Sequence, residues 1–165
     1  MRVRTGLAAD WPVCQDIERR AGERFREVGL ADIAEHDPPT DAELDEALAV
    51  LVAVDDLGEI VGYAWVEEVD GHAHLEQLSV PPEYGGLGVG TALLDAVAAW
   101  AREHRDAEIT LTTYRDVPFN APVYAKRGFE VVPEAEWTPG LRALVAEEAT
   151  HGLDPSQRVV MRRVL

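Results

Sequence analysis

Apolar and polar positions change their period several times along the chain, and the changes mark its elements. Met1 to Thr5 (MRVRT) alternates, as a short strand does. Asp10 stands where it can cap a helix running through Ile17 towards Val28, with Pro12 in its first turn, where a missing N–H costs little. Gly29 to Thr40 reads as loop. Thr40 and Glu43 form a capping-box pattern for a helix over Asp41 to Ala49. Strands are expected at Leu51 to Val54, Glu59 to Val69 and His72 to Val80. The last two are joined at Asp70-Gly71, a strong hairpin signal. Val89, Leu93, Leu94, Val97, Trp100 and Ala101 then fall at helical spacing. Further strands are expected at Glu108 to Thr113, Phe129 to Val132 and Arg158 to Val164. A short helix over Asn120 to Lys126 and another over Leu141 to Ala149 lie between them, the second stopped by Gly152.

This order predicts an α/β fold: a mixed, mostly antiparallel central sheet of about seven strands flanked by helices. The crossover from Val80 to Ile109 should join two parallel strands with a right-handed turn. No repeat, low-complexity tract or linker interrupts the chain, so residues 1–165 are expected to form a single domain.

Composition narrows the picture. The 165 residues are 47% hydrophobic and 28% charged, a soluble globular profile. The start, MRVRTGLAADW, has no apolar stretch of the signal-peptide kind. The apolar region Leu48 to Val66 is broken by Asp55, Asp56 and Glu59, so no membrane span is expected. A single cysteine, Cys14, excludes an internal disulfide and a thiolate cluster. A cytoplasmic protein follows. The formal net charge of -16, with no Lys or Arg between Arg26 and Arg102, argues against a nucleic-acid partner. It suits solubility, and it also suits a cationic substrate.

The segment SVPPEYGGLGVGTALLDAV carries the strongest chemical signal. Gly85, Gly86, Gly88 and Gly90 stand between a strand and a helix. Such a turn permits positive φ and presents free N–H groups at a helix N-terminus, which suits phosphate. A Walker A loop would need a Lys before Ser or Thr, but Thr91 follows Gly90 directly. A dinucleotide turn would need a third glycine where Thr91 stands. The plain structural reading is a turn that lets helix and strand pack closely.

The segment resembles motif A of the GCN5-related N-acetyltransferase (GNAT) family, Val-x-Pro-x-x-[Arg/Gln]-Gly-x-Gly-x-[Gly/Ala]. Val80, Pro82, Gly86, Gly88 and Gly90 match in spacing, while Gly85 stands where the family usually has Arg or Gln. Asn120 to Phe129 (NAPVYAKRGF) is similar to the family's motif B, with Tyr124 four residues before Gly128, although the gap between Asn120 and Tyr124 is shorter than in many members. The resemblance implies a GNAT-like fold and acetyl transfer from acetyl-CoA, as cosubstrate, to a primary amine by direct attack. It needs no metal and no cysteine nucleophile. The acceptor would be an amine on a small molecule, peptide or protein, and a homodimer is in keeping with the family. A coenzyme A-binding sensor or regulatory module without catalysis is the alternative.

The resemblance also implies site residues. Gly85, Gly86, Gly88, Val89, Gly90 and Thr91 would cradle the pyrophosphate. The backbone near Leu78 and Val80 would pair with the pantetheine arm, and Asn120 and Tyr124 would meet the coenzyme. Tyr124 would be the general acid for the leaving thiolate: a phenol has a pKa of about 10, above that of a thiol at about 8.5, so it can donate a proton without first ionising. Glu76, on the strand leading into the turn, would be the general base, with Gln77 taking its place, but not its chemistry, if the strand's facing shifts. His72, His74 and Glu76 fall at i, i+2 and i+4 on one strand, a spacing also open to zinc, although an exposed strand face accounts for them more simply. The early helices would form one wall of the acceptor site. Glu27, Asp32, Glu35, Asp37, Asp41, Glu43, Asp45 and Glu46 there favour a cationic amine.

Overall fold

The computed structural model describes all residues 1–165. Its seven strands are β1 (Arg2–Thr5), β2 (Ala49–Val54), β3 (Ile60–Val69), β4 (His72–Ser79), β5 (Glu108–Tyr114), β6 (Glu130–Val131) and β7 (Arg158–Val164). Six helices join them: α1 (Trp11–Gly22), α2 (Ala31–Ala34), α3 (Asp41–Glu46), α4 (Val89–Glu103), α5 (Ala121–Ala125) and α6 (Pro139–Thr150). The strands form one sheet in the order β1-β2-β3-β4-β5-β7-β6. The β1–β2, β2–β3, β5–β7 and β6–β7 pairs are antiparallel. β4 and β5, which flank the α4 crossover, pair in parallel. This is the expected mixed, mostly antiparallel sheet.

Local chemistry explains most boundaries. Thr40 accepts from the Glu43 N–H and Glu43 accepts from the Thr40 N–H, both at 3.1 Å, closing the expected capping box. Asp70 and Gly71 both have positive φ, 50° and 80°, the two left-handed residues of a tight hairpin turn.

Other boundaries differ from expectation. Asp10 does not cap α1. Its carboxylate binds Arg4 at 2.7 Å and accepts the Leu7 N–H, so it closes the turn before the helix. The helix ends at Gly22 and continues as a 3-10 segment to Val28, and α2 falls inside the stretch read as loop. α3 stops at Glu46, because Ala49 and Val50 pair with β3 opposite Val66 and Trp65. In each case packing or pairing decided a boundary that local pattern left open.

Two compact units divide the chain. Met1–Glu67 with Leu75–Trp100 form the first, and Glu68–His74 with Ala101–Leu165 form the second. In the first, Trp11, Cys14 and Ile17 of α1 and Leu44 of α3 pack on Val50, Val52 and Val54 of β2 and on Tyr63 of β3. In the second, Leu141 of α6 packs with Val132 and Val160, alongside Trp137 and Val145. Thr112 of β5 donates to Glu148 of α6 at 2.8 Å and accepts from Arg158 of β7 at 3.0 Å, which ties that helix to the sheet. No helix is long and apolar enough to cross a membrane.

Candidate active site

The glycine turn begins where β4 ends. Pro82–Tyr84 form a single 3-10 turn, closed by the Tyr84 N–H to Pro81 and the Gly85 N–H to Pro82 (2.9 and 3.0 Å). Gly86 and Gly88 have φ of +75° and +84°, which L side chains rarely adopt, so these two positions need glycine. Gly85 has an ordinary φ of -64°. Gly90 already lies within α4. The first helical bond runs from the Ala92 N–H to the Gly88 carbonyl, so the N–H groups of Val89, Gly90 and Thr91 lie in the turn where an α-helix has no internal acceptors. Gly86, Leu87 and Gly88 are exposed. The arrangement is an open cradle of backbone donors at the positive end of a helix of 15 residues. Gly85 adds no donor to it, because its N–H is already bonded to Pro82.

β3 makes room for this helix start. A Cβ on Gly62 would stand 2.9 Å from Val89 Cγ1, 3.1 Å from Leu93 Cδ1 and 3.2 Å from the Ser79 carbonyl oxygen. Only a residue without a side chain lets the first turn of α4 seat against the sheet.

A Cβ on Gly85 would meet the Pro82 carbonyl oxygen at 3.1 Å, in an ordinary backbone conformation. The position therefore tolerates a side chain after a small adjustment. Gly85→Arg is expected to tighten coenzyme A binding severalfold, since a guanidinium is matched to phosphate oxygens. Calorimetric titration of both proteins with coenzyme A checks this. Equal affinities would mean that the backbone donors suffice, or that the phosphate lies elsewhere.

Tyr124 lies half-buried in α5, in the second unit. The Phe129 N–H bonds the Tyr124 carbonyl at 3.1 Å and the Gly128 N–H bonds Ala125 at 3.3 Å, with Gly128 at φ +89°. This is a Schellman closure, and the Tyr124 and Phe129 rings meet edge to face at 5.7 Å. The spacing of Tyr and Gly-Phe is thus a helix-ending device that also fixes the tyrosine ring. Asn120 precedes α5, and its side chain does not cap the helix.

Glu76 and Leu78 are half-buried on β4, and Val80 follows the strand end. Gln77 and Ser79 turn towards α1, so strand alternation puts Glu76 and Leu78 on the opposite face. His72 bonds Asp106 at 2.8 Å, and that contact raises its pKa above the ordinary histidine value. His74 is fully buried against Thr110 Oγ1 at 2.8 Å, and burial pushes its pKa down to about 4. Both imidazoles are engaged by protein groups, and no set of three or more His, Cys, Asp or Glu residues converges.

One residue escaped the sequence reading. Glu18 of α1 receives hydrogen bonds from Tyr63 Oη and Ser79 Oγ, both at 2.6 Å, and from the Gln77 amide. Burial raises its pKa, while the three donors oppose that shift. Its sequence signal was available: Trp11, Cys14 and Glu18 fall at i, i+3 and i+7, which puts a carboxylate on the apolar stripe of α1.

Residues 11–129 match the Acetyltransferase (GNAT) family. The chain belongs to that family. Mycothiol acetyltransferase of Propionibacterium freudenreichii subsp. shermanii is 38% identical over 87 residues, covering 50% of this chain and 28% of that protein. Among solved structures, the fold is similar to N-acetylglutamate synthase from Neisseria gonorrhoeae complexed with coenzyme A and N-acetyl-glutamate. That match has a TM-score of 0.71 and 18% identity, over 99% of this chain and 34% of the synthase. Rv2747 from Mycobacterium tuberculosis, in complex with CoA and NLQ, matches with a TM-score of 0.70 and 19% identity, over 100% of this chain and 99% of that one. The chain thus spans about a third or less of the length of the first two proteins. At these identities the structural likeness concerns the fold.

Proposed function

We propose that this chain is an N-acetyltransferase that moves an acetyl group from acetyl-CoA to a primary amine, as one cytoplasmic domain. The observation that carries this reading is the open donor cradle at the start of α4, directly after β4 and built on two left-handed glycines. Membership of the GNAT family supports it. Val89, Gly90 and Thr91, with Gly86 and Gly88, hold the pyrophosphate, and the backbone near Leu78 and Val80 holds the pantetheine arm. Asn120 contributes to the same coenzyme. Glu76 accepts the proton that the attacking amine must lose. Tyr124 protonates the departing thiolate. The acidic first helices, with Asp41 and Glu43 opening α3, favour a cationic acceptor.

Thiol release from acetyl-CoA across a panel of amines, polyamines, amino acids and peptides tests the proposal. Turnover with at least one amine is expected, together with a rise in Tm on adding coenzyme A. A rise in Tm with no turnover by any member would favour a coenzyme A-binding regulatory module instead.

A further inference from the structure

We propose that Glu18 is the residue that binds the acceptor as an ammonium ion, through the carboxylate that Tyr63, Gln77 and Ser79 hold in place. The inference rests on the acetyltransferase reading for the identity of the ligand, and on the first compact unit alone for its geometry.

Three observations carry it. First, Glu18 has only neutral partners. Two hydroxyls and an amide donate to it, and no Lys, Arg or His lies within ion-pairing distance. A carboxylate has about four acceptor sites, so three donors leave one for a further donor. Removing a carboxylate from water without a counter-charge is unfavourable, and an arriving cation relieves that cost. α1 carries two arginines, Arg19 and Arg20, and neither pairs with Glu18; Arg20 pairs with Glu83 and Asp16.

Second, the place is right. Ser79 is the last residue of β4, immediately before Val80 and the glycine turn, and its hydroxyl bonds Glu18. The Arg20–Glu83 pair brings the same helix against the turn itself. An ammonium on Glu18 therefore lies beside the end of the strand that leads into the coenzyme cradle. Glu18 is half-buried as a residue, its carboxylate being the shielded end.

Third, its neighbours cannot supply the charge change themselves. The groups facing it are the Tyr63 phenol on β3 and the Cys14 thiol one turn back on α1. The phenol is driven well above its ordinary pKa by burial, and the thiol is pushed up to about 12. Gln77 and Ser79 on β4 do not titrate in the accessible range, and Glu76 occupies the other face of that strand. Asp10 and Arg4 neutralise each other farther along. Burial raises the Glu18 pKa. The site therefore loses its charge, and its hold on an ammonium, as pH falls, and it does so at higher pH than an ordinary glutamate would.

Calorimetric titration of the coenzyme A-saturated protein with putrescine, spermidine and lysine amide tests this, with 1,4-butanediol as the uncharged control. At least one of the three ammonium probes should bind and the diol should not. Glu18→Gln should weaken the binding tenfold or more. Its Tm should be equal to or above the parent's, because glutamine removes a buried charge and keeps hydrogen-bonding capacity. Tyr63→Phe removes one donor to the carboxylate, so it should shift the acid edge of ammonium binding to higher pH. Unchanged affinity in Glu18→Gln, or no ammonium binding by the parent protein, overturns the proposal. So does a joint fall of Tm, coenzyme affinity and amine affinity, which would mark Glu18 as a packing residue. Ammonium binding without acetylation of any amine would defeat the enzyme reading alone. Acetylation with a KM indifferent to Glu18→Gln would defeat this proposal alone.

Discussion

Replacing Tyr124 by phenylalanine is expected to lower kcat by about 100-fold or more, while coenzyme A affinity stays the same. General acid catalysis contributes roughly 10²- to 10⁴-fold to steps of this kind. The hydroxyl is the only group removed, and the ring should keep its place. Its edge-to-face contact with Phe129 and the Schellman closure at Gly128 depend on the ring and the backbone, not on the hydroxyl. Thiol release with the best amine of the panel measures kcat, and calorimetry measures the coenzyme. A kcat within twofold of the parent would remove Tyr124 from the mechanism. A parallel loss of coenzyme affinity would make it a binding residue.

The second large effect is expected at Gly62. Valine there should lower stability by about 2 kcal/mol, a fall of roughly 4–8 °C in Tm, and should weaken coenzyme A binding as well. The Cβ alone would stand 2.9 Å from Val89 and 3.1 Å from Leu93. Those residues belong to the first turn and a half of α4, whose N–H groups form the cradle. Relief of the overlap requires the start of α4 to move off the sheet, so stability and affinity should fall together. Thermal denaturation with and without coenzyme A separates the two quantities. A Tm loss with unchanged coenzyme affinity would show that the cradle tolerates the displacement of its helix.

Gly62 also illustrates what a single sequence leaves hidden. It stands in a strand whose burial pattern gives no hint of a glycine requirement, and the reason lies in a helix almost thirty positions later. The turn glycines were legible because their roles are local: Gly86 and Gly88 take positive φ within the motif itself. Gly85 was legible only in part. Its departure from the family pattern was plain, but the use of its N–H inside the turn depends on the 3-10 turn at Pro82–Tyr84.

The candidate residues divide in the same way. Tyr124 was a candidate only through the resemblance of NAPVYAKRGF to the family's motif B, whereas the helix ending at Gly128-Phe129 that holds its ring is a local device. Glu18 could not be assigned, although its place on the apolar stripe of α1 was visible. The significance of that place comes from Tyr63, Gln77 and Ser79, which lie 45 to 61 positions away in the chain. The histidines show the converse. Their i, i+2 spacing allowed a metal reading, but Asp106 and Thr110, from the far side of the α4 crossover, supply their partners.

By itself, then, the sequence determined the order of the strands and of every helix but α2, the capping box at Thr40, the hairpin at Asp70-Gly71 and the glycine turn. Each depends on dihedral preferences and hydrogen bonds within a few residues. Tertiary structure decided where α1 and α3 stop, which face of β4 meets α1, and which carboxylate lies buried without a cation. These depend on strand pairing and side-chain contacts between segments far apart in sequence, whose energies no local pattern encodes.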